Sequence, residues 1–580
     1  MTPMKTRKLL TAPVSAPEAI VRVLEEAGIE FVFGMPGGKT IPIFNALYDH
    51  QSSIRTVLVR EEGQAAVMAD VYGRLTGKPG VAMGQGAFML TNAGMGLVEA
   101  YLAGSPVLVL SELSDHSPFS HHAPYQAGTG DYGTWNAAAT IAGYTKQVFV
   151  AREGGQAVQD TQLAIKHAIA GQPGPVAVLY HSRALATSVG PETTPRLYAT
   201  ASYLATGRPP ASADQVASAR QALSMAVRPV ILAGNGVRMA QAQPELRAFA
   251  EQLSIPVATT ASGKGVFPET HALALGVFGN YGLEAANAVI GDADLVVAVG
   301  TKLGSTDTAN ENPALLDPER QTLVQIDIEP RHASWTFPVE HVLLGDARVV
   351  LGQLIEACRG SHGAGAGDGR RRVSDAHRKH ASFDVPESVS DETPILPQRI
   401  IKELHWALPD DAVVTCDAGE NRLFMLHHFQ TKDGMEYLQP SAVGGMGYAI
   451  PAALAARLVH PQRAAVAVCG DGGFSIAMNG LMTAVEERIP IVVVVLNNGA
   501  LGWVLHGQGE RPIASRFAEF DHAAIARAMG CAGVRVNRPA ELKEALAWAV
   551  AAGRPAVVDV NTSLGYTFQD VSAQLVAPPR

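Results

Sequence analysis

The strongest constraint on the fold is a pair of short motifs in the last quarter of the chain. Gly470-Asp471-Gly472 follows the apolar run 464–469, and Asn497-Asn498 follows the β-branched run 491–496. The segment 475–487 between them has helical composition, so the sequence predicts a strand–helix–strand unit. Its crossover is expected to be right-handed, which makes the two strands parallel and brings the motifs to one carboxyl edge of a sheet.

This edge predicts a site for a metal ion and a diphosphate. Asp471 offers a carboxylate and Asn498 a carboxamide oxygen, and Mg2+ prefers such hard oxygen ligands, which it usually shares with phosphates. Gly472 and Gly473 expose backbone N–H groups at the start of the following helix, where a phosphate is favoured. Each motif alone is also a common tight turn, but the two together in this strand context favour the metal site.

The two motifs resemble the signature of thiamine-diphosphate-dependent enzymes, in which GDG is followed by a helix-length spacer and NN. In that family the aspartate, the second asparagine and the backbone carbonyl two residues later hold Mg2+. The resemblance therefore implies Asp471, Asn498 and Ala500 as metal ligands and thiamine diphosphate as the cofactor.

A thiamine enzyme also needs a carboxylate that hydrogen-bonds the aminopyrimidine ring and so activates the thiazolium carbon. The segment 60–66, Arg-Glu-Glu-Gly-Gln-Ala-Ala, follows a strand-like run and opens a helix-like one. Together with residues 69–74 it resembles the acetolactate synthase and pyruvate oxidase branch, and this resemblance assigns the role to Glu62. A glutamate in a first helical turn also complements the helix dipole, and Glu61 is the alternative for either part.

Three further segments resemble cofactor-binding parts of the same branch. Residues 31–38 end in a Pro-Gly-Gly loop that resembles the loop over the thiazolium ring. Residues 444–451 resemble the segment that grips the aminopyrimidine, with Met446 as the wedge that bends the cofactor, and 417–421 resembles the first diphosphate-binding turn. The implied cofactor-binding residues are Pro36, Gly37, Gly419, Glu420, Asn421, Gly444, Met446, Gly470, Asp471, Gly472, Gly473, Asn498 and Ala500.

The substrate region departs from acetolactate synthases. Gly-Ala-Phe-Met-Leu-Thr-Asn at 86–92 replaces their Ser-Gly-Pro-Gly-Ala-Thr-Asn turn, which predicts bulky apolar groups along the donor site. His121-His122 resembles the proton-transfer histidines of pyruvate decarboxylases, with two solvated loop histidines as the alternative. Gln126 resembles the glutamine that reaches the substrate carbonyl. The implied catalytic residues are Glu62, Gln126, His121 and His122, and the implied pocket residues are Gly38, Phe88, Met89, Trp503, Val504 and His506.

A chain of 580 residues exceeds a single hydrophobic core. Successive strand–helix series predict an α/β protein with three doubly wound parallel-sheet domains. By the resemblance, the three are a pyrimidine-binding domain at 1–190, a central Rossmann-like domain at 205–358 and a diphosphate-binding domain at 394–580, and a linker at 359–393 precedes the last. The resemblance places the cofactor between the first domain of one subunit and the third of another, which implies at least a homodimer, with a homotetramer common.

Composition argues against several classes of protein. A formal net charge of −9 is unfavourable for nucleic-acid binding, and four scattered cysteines do not form a disulfide framework. The N-terminal segment lacks the apolar core of a signal peptide, and no apolar run is long enough to span a membrane. We therefore expect a cytoplasmic protein with small-molecule carbonyl substrates and neither nucleic-acid nor membrane partners.

The resemblance implies that the protein makes or breaks a carbon–carbon bond next to a carbonyl. Decarboxylation of a 2-oxo acid followed by carboligation, as in acetolactate synthases, is the first expectation. The alternatives are a 2-hydroxyacyl-CoA lyase, a simple 2-oxo acid decarboxylase and an inactive cofactor-binding paralogue. In the central domain, residues 301–307 replace the arginine-bearing flavin segment of acetolactate synthases, so FAD, ADP and no nucleotide are all open there.

Overall fold

The computed structural model describes residues 7–115, 125–204, 207–360 and 368–571. The chain divides into two units, Met1–Gly207 and Arg208–Arg580. The first unit contains one six-stranded parallel sheet and the second contains two, each flanked by helices. The predicted fold of three parallel-sheet α/β domains is thus confirmed. Within the described residues, no helix combines the length and the apolar character needed to cross a membrane.

The first unit is built on apolar strands that helices cover on both faces, as parallel sheets require. Its strands are β1 (Val14–Ser15), β2 (Phe31–Gly34), β3 (Arg55–Leu58), β4 (Gly80–Met83), β5 (Val107–Glu112), β6 (Gln147–Ala151), β7 (Pro175–Tyr180) and β8 (Ser188–Val189). Its helices are α1 (Ala16–Glu26), α2 (Ile41–Asp49), α3 (Glu62–Thr76), α4 (Gly86–Asn92), α5 (Gly94–Ala103), α6 (Ala137–Ala142), α7 (Gly154–Ile169), α8 (Ser182–Leu185) and α9 (Ala201–Leu204).

The strand order of this sheet is β3-β2-β4-β5-β7-β6, with β1 and β8 paired separately in antiparallel fashion. The chain leaves β2 toward β3 on one side and returns to β4 on the other. A crevice opens outside the carboxyl ends of strands at such a switch point, and open α/β sheets bind ligands there. The Pro-Gly-Gly loop after β2 and the segment after β4 flank this crevice.

The central domain has the strand order β11-β10-β9-β12-β13-β14, which is the dinucleotide-binding order. Its strands are β9 (Pro229–Ala233), β10 (Val257–Thr259), β11 (Ala274–Val277), β12 (Leu295–Val299), β13 (Thr322–Asp327) and β14 (His341–Leu344). Its helices are α10 (Ala213–Met225), α11 (Asn235–Met239), α12 (Gln243–Leu253), α13 (Glu284–Gly291), α14 (Ala347–Ala357) and α15 (Gly369–His380).

The third domain has the strand order β16-β15-β17-β18-β20-β19, so its switch point lies between β15 and β17. Its strands are β15 (Val413–Cys416), β16 (Glu436–Leu438), β17 (Ala465–Gly470), β18 (Ile491–Asn497), β19 (Ala532–Val536) and β20 (Ala556–Asn561). Its helices are α16 (Pro397–Ala407), α17 (Glu420–His428), α18 (Ala449–Val459), α19 (Asp471–Ala477), α20 (Gly480–Glu486), α21 (Gly502–Gln508), α22 (His522–Ala528) and α23 (Pro539–Ala551).

Two local predictions differ from the structure. The single helix expected over 475–487 is two short helices, α19 and α20, and α19 begins at Asp471 itself. The segment expected to be a linker carries α15, whose Val373 and Ala376 pack against the core of the central domain. Apolar side chains on one face of an otherwise basic helix are sufficient for this packing.

A buried ion pair ties the central and third domains together within the second unit. Lys264 Nζ lies 2.7 Å from both carboxylate oxygens of Glu269. Glu269 Oε2 also accepts the backbone N–H of Thr431 at 2.8 Å, and Arg238 donates to the backbone oxygens of Lys264 and Tyr437. Because each buried charge has several partners, this contact fixes the position of β16 against the central domain.

Candidate cofactor and substrate site

The two motifs that opened the sequence analysis meet at the carboxyl edge of the third sheet. Asp471 follows β17, and its Oδ2 accepts the backbone N–H groups of Gly499 at 2.7 Å and Ala500 at 3.2 Å. Asn498 Oδ1 accepts the N–H of Ala500 at 3.1 Å. The turn after β18 can close in this way because Gly499 has a φ of 68°. The structure therefore brings together all three residues that the sequence predicts as metal ligands.

The donor set fits a hard divalent cation. Asp471 is only 3% exposed, and burial raises the pKa of its carboxyl group even though three backbone N–H groups hydrogen-bond it. In the described residues Asp471 has no ion pair, and its carboxylate and the Asn498 carboxamide oxygen both contact the backbone N–H of Ala500. No group of three His, Cys, Asp or Glu side chains suited to a metal occurs in the described part of the chain. An oxygen site of mixed character suits Mg2+.

The first asparagine of the pair has a different environment from the second. Asn497 Nδ2 donates to Asp559 Oδ1 at 2.9 Å and to the backbone oxygen of Phe520 at 3.1 Å. Asp559 Oδ2 accepts the N–H of His522 at 2.9 Å, and all three side chains are buried. This network holds the end of β18 and so fixes the turn that carries Asn498. The sequence analysis missed it because Asp559 and His522 lie far from the motif along the chain.

Asp417 connects the two loops at the switch point of the third sheet. Its Oδ1 accepts the N–H groups of Ala418 at 2.8 Å and Gly447 at 2.9 Å, and its Oδ2 accepts that of Ala449 at 3.1 Å. Burial raises the pKa of Asp417 to about 6 although these hydrogen bonds oppose the shift. A Cβ on Gly473 would lie 2.9 Å from Asp417 Cγ, so this position requires glycine. Asp417 thereby sets the distance between the diphosphate-binding turn and the 444–451 segment.

Other predicted cofactor residues surround the same edge. Gly419 has a φ of 110° and precedes α17, and Asn421 Nδ2 donates to the backbone oxygen of Asp417 at 2.9 Å. Gly470 lies beside Asn421, since a Cβ on Gly470 would be 3.6 Å from Asn421 Oδ1. A Cβ on Gly472 would lie 3.0 Å from Met446 Cε, which puts the Met446 side chain directly over the GDG turn. Gly444 has a φ of 75°, so the segment before Met446 turns sharply there.

Glu420 and His506, predicted for the cofactor and the substrate pocket respectively, form a pair. Glu420 Oε1 lies 2.6 Å from His506 Nδ1 and accepts the backbone N–H of Phe568 at 2.9 Å. Burial raises the pKa of Glu420, although the contact with His506 opposes this shift. The ring of Trp503 stacks on Phe568 at 4.8 Å, whereas Val504 is 42% exposed on another face of α21. Trp503 and His506 therefore share a surface that Val504 does not.

In the first unit, Glu62 occupies the first position of α3 at the carboxyl edge of the sheet. It is 5% exposed, and its Oε2 accepts a hydrogen bond from Asn92 Nδ2 at 3.0 Å. Glu61 instead caps the helix, since its Oε2 accepts the N–H of Gln64 at 3.1 Å. The two neighbouring glutamates thus separate into a helix cap and a carboxylate with spare acceptor capacity. Asn92 is a partner that the sequence analysis missed.

The Pro-Gly-Gly loop after β2 packs over polar side chains. A Cβ on Gly37 would lie 2.8 Å from Gln85 Oε1, and one on Gly38 would lie 2.6 Å from Glu112 Oε1. Gln85 contacts the side chain of Gln126, the residue expected to reach the substrate carbonyl. Glycine permits this close approach, and the exposed Pro36 precedes it. Glu112, which is buried, was not predicted as a site residue.

The prediction for segment 86–92 is only partly met. The expected turn is the helix α4, in which Met89 is completely buried and Phe88 is 43% exposed. Adjacent residues of a helix point to different faces, so the two side chains do not line one surface as expected. His121 and His122 lie outside the described residues.

The crevice of the central domain does not fit a nucleotide phosphate at its glycine loop. The N–H of Gly236 donates to the backbone oxygen of Gly300 at 2.9 Å, and a Cβ on Gly234 would lie 2.4 Å from that oxygen. The loops after β9 and β12 therefore pack against each other. The backbone N–H that a phosphate would need is already bonded.

Sequence comparisons agree with this geometry over most of the chain. Models of the thiamine pyrophosphate enzyme domains match in order: the N-terminal TPP binding domain at 14–131, the central domain at 216–354 and the C-terminal TPP binding domain at 417–560.

Three relatives extend the match to whole proteins. The "Probable acetolactate synthase large subunit" of Methanocaldococcus jannaschii is 30% identical over 558 residues, covering 94% of this chain and 91% of the relative. The acetolactate synthase isozyme 3 large subunit of Escherichia coli is 30% identical over 546 residues, covering 93% and 92%. The acetolactate synthase large subunit of Corynebacterium glutamicum is 30% identical over 562 residues, covering 93% and 86%. The chain is therefore a thiamine-diphosphate-dependent enzyme and belongs to the thiamine pyrophosphate enzyme family.

Proposed function

We propose that this enzyme decarboxylates a 2-oxo acid and joins the remaining fragment to a second carbonyl compound, as the name acetolactate synthase describes for its relatives. The observation that carries the proposal is the position of Glu62. Its buried carboxylate stands at the carboxyl edge of the first sheet, and within the described part of the chain its one hydrogen-bond partner is the neutral Asn92. The similarity to acetolactate synthase large subunits over 93% or more of the chain supports the carboligase outcome.

Each site residue then has a role. Asp471, Asn498 and the carbonyl of Ala500 would hold Mg2+, and residues 419–421 with 470–473 would hold the diphosphate. Gly444 and Met446 would fix the aminopyrimidine end, and Glu62 would be the proton-exchanging carboxylate for that ring. Thiamine diphosphate supplies the electron sink for the carbon next to the carbonyl, whereas the protein supplies orientation and a dry site.

The substrate side uses both polar and aromatic groups. In the first unit, Gln126 and Gln85 offer amide donors to a substrate carbonyl under the Gly37-Gly38 loop. In the second unit, Trp503 and His506 shape the acceptor side, and Phe568 covers them. We also infer a homodimer or homotetramer and a cytoplasmic location. Light scattering of the purified protein tests the oligomer, and an absorbance scan in the visible range tests for flavin.

Product analysis tests the proposed reaction. The purified protein is incubated with thiamine diphosphate, Mg2+ and either pyruvate or a 2-hydroxyacyl-CoA, with Asp471→Ala as the inactive control. We expect CO2 and a longer hydroxyketone acid from pyruvate. Free aldehyde from pyruvate would instead identify a simple decarboxylase. Cleavage of the 2-hydroxyacyl-CoA without turnover of pyruvate would identify a lyase and contradict the proposal.

A further inference from the structure

A second polar cluster lies at the carboxyl edge of the first sheet, after strands β5 and β7. Asp115 Oδ2 lies 2.7 Å from His181 Nδ1, and Asp115 Oδ1 accepts the backbone N–H of Ser182 at 2.8 Å. The hydroxyl of Ser182 donates to the backbone oxygen of Asp115 at 2.8 Å. These contacts fix both the carboxylate and the plane of the imidazole ring.

The other ring nitrogen of His181 is left without a protein partner. Its Nε2 is buried and has no hydrogen bond within the described residues. A carboxylate that accepts a hydrogen bond from the Nδ1–H of a histidine fixes the tautomer of the ring and leaves Nε2 to exchange a proton with a ligand. A buried polar atom without a partner is also unfavourable, so an arrangement of this kind needs a reason other than stability.

The charge of Asp115 is maintained by its surroundings. Burial raises the pKa of Asp115, but the hydrogen bonds from His181 and Ser182 outweigh burial and lower the pKa to about 2. The neighbouring charges Arg183 and Glu153 pair with each other at 3.1 Å on the exposed side of α8. Asp115 is therefore the charged group that contacts the ring, and it stabilises the ring when Nε2 is protonated.

This cluster is continuous with the substrate side of the first unit. The N–H of Leu113 donates to the backbone oxygen of Tyr180 at 3.2 Å, and the N–H of Gly128 donates to that of Leu113 at 2.8 Å. The segments that carry His181 and Gln126 thus flank the same residue. The residue before Leu113 in the chain is Glu112, whose side chain lies against Gly38 of the Pro-Gly-Gly loop.

We propose that His181, oriented by Asp115, is a proton-transfer residue that protonates the substrate oxygen during carbon–carbon bond formation. This inference rests on the proposed carboligase function. As the new bond forms, the π electron pair of the acceptor carbonyl moves onto its oxygen, and that oxygen takes the Nε2 proton of the His181 imidazolium. The ring is then neutral and keeps its Nδ1 proton toward Asp115, and the solution returns one proton to Nε2. Two 2-oxo acid anions give one product anion and CO2 with uptake of one proton, so the step needs no oxidant or reductant.

The test separates cofactor activation from ligation. His181→Gln keeps a donor toward Asp115 but removes the exchangeable Nε2 proton, and His167→Gln, a histidine of α7, is the matched control. In His181→Gln we expect the thermal midpoint of the cofactor-free protein and the hydrogen exchange at thiamine C2 to match the wild type. Product formation from pyruvate should fall by about 10²–10⁴-fold, the usual range for a general acid. Added imidazole should restore part of the rate of His181→Ala.

Three results would overturn the inference. The first is wild-type product formation by His181→Gln, and the second is an equal loss of C2 exchange and product formation, which a structural defect would give. The third is loss of product formation in His121→Gln or His122→Gln while His181→Gln remains active. Wild-type protein that exchanges the C2 proton but makes no product from pyruvate contradicts the proposed function instead, and with it the substrate oxygen assigned to His181.

Discussion

Three buried side chains at the carboxyl edge of the third sheet each hydrogen-bond at least two other groups of the protein. They are Asp471, Asp417 and Asn497. At the carboxyl edge of the first sheet, among the residues that the structure describes, Glu62 has the one hydrogen-bond partner Asn92 and His181 Nε2 has none. We call the third-sheet edge at Asp471, Asn498 and Ala500 the cage, and hydrogen bonds within the protein hold its geometry. The first-sheet edge retains groups that can still exchange protons. We infer that cofactor binding and proton chemistry are assigned to different sheets.

The largest expected effect is on the cage. Asp471→Ala removes the only carboxylate among the three proposed metal ligands, so the affinity for Mg2+ with thiamine diphosphate should fall by more than the ~10–100-fold that an outer partner of a metal site is worth. Calorimetric titration with Mg2+ in the presence of the cofactor measures this. Glu544→Gln, on the exposed face of α23, serves as the control. Wild-type affinity in Asp471→Ala would remove the metal from this edge.

A smaller loss of Mg2+ affinity is expected from Asn497, which neighbours the proposed metal ligand Asn498. Asn497→Ala deletes the hydrogen bonds to Asp559 and Phe520 that hold the end of β18. We expect the Mg2+ affinity to fall by about 10–100-fold, as for other residues that orient metal ligands. The same titration measures it. If Asn497→Ala binds Mg2+ as the wild type does, the cage does not depend on this network.

The first-sheet edge should respond to loss of the hydrogen bond between Asn92 and Glu62. Asn92→Ala leaves Glu62 without the amide donor that orients it. Since a hydrogen bond to a charged group is worth ~1.5–3 kcal/mol, we expect about a tenfold slower hydrogen exchange at thiamine C2 with little change in cofactor affinity. Thr140→Ala is the control, because the Thr140 hydroxyl donates to the backbone oxygen of Asn136 at the start of α6. A loss of affinity without slower exchange would assign Asn92 to binding.

The smallest expected effect is a dependence of stability on pH that arises from His428, the last residue of α17. α17 begins at Glu420 and ends at His428, and burial lowers the pKa of His428 to about 3. Below the unfolded pKa of about 6.5, the unfolded chain binds a proton that the folded chain does not, so the free energy of unfolding falls by up to ~1.4 kcal/mol per pH unit.

His428→Leu and His428→Gln both remove this titration. Relative to either variant, the thermal midpoint of the wild type should therefore drop between pH 7 and pH 5.5. A constant difference between wild type and variants over this range would show that folding does not lower the pKa of His428.

The approach of Asp471 to Asn498 could be predicted from the sequence because a general rule of topology determines it. Parallel strands joined by a right-handed crossover end at the same edge of the sheet, so Asp471 and Asn498 lie at one edge. This placement does not depend on whether the segment between the strands is one helix or, as here, the two helices α19 and α20. The assignment of Glu62 rather than Glu61 to the cofactor stays a prediction, and the structure adds only that Glu61 caps α3.

The parts that sequence reasoning missed depend on tertiary packing. Asn92 reaches Glu62 only because segment 86–92 forms a helix rather than the expected turn, and the same helix buries Met89. Asp559 and His522 join Asn497 across three different elements. Asp115 and His181 are 66 residues apart, and neither lies in a recognisable motif. No local pattern encodes such contacts.

Our inference is that the third sheet binds the cofactor and the first sheet carries out the proton chemistry. Hydrogen–deuterium exchange at thiamine C2 in Glu62→Gln tests it most directly, with Glu61→Gln as the matched control. We predict that Glu62→Gln binds thiamine diphosphate and Mg2+ as the wild type does but exchanges the C2 proton about 10²–10⁴-fold more slowly. Glu61→Gln should keep its exchange rate and lose only ~1 kcal/mol of helix-cap stability. Wild-type exchange in Glu62→Gln, or loss of cofactor binding in that variant, would contradict the account.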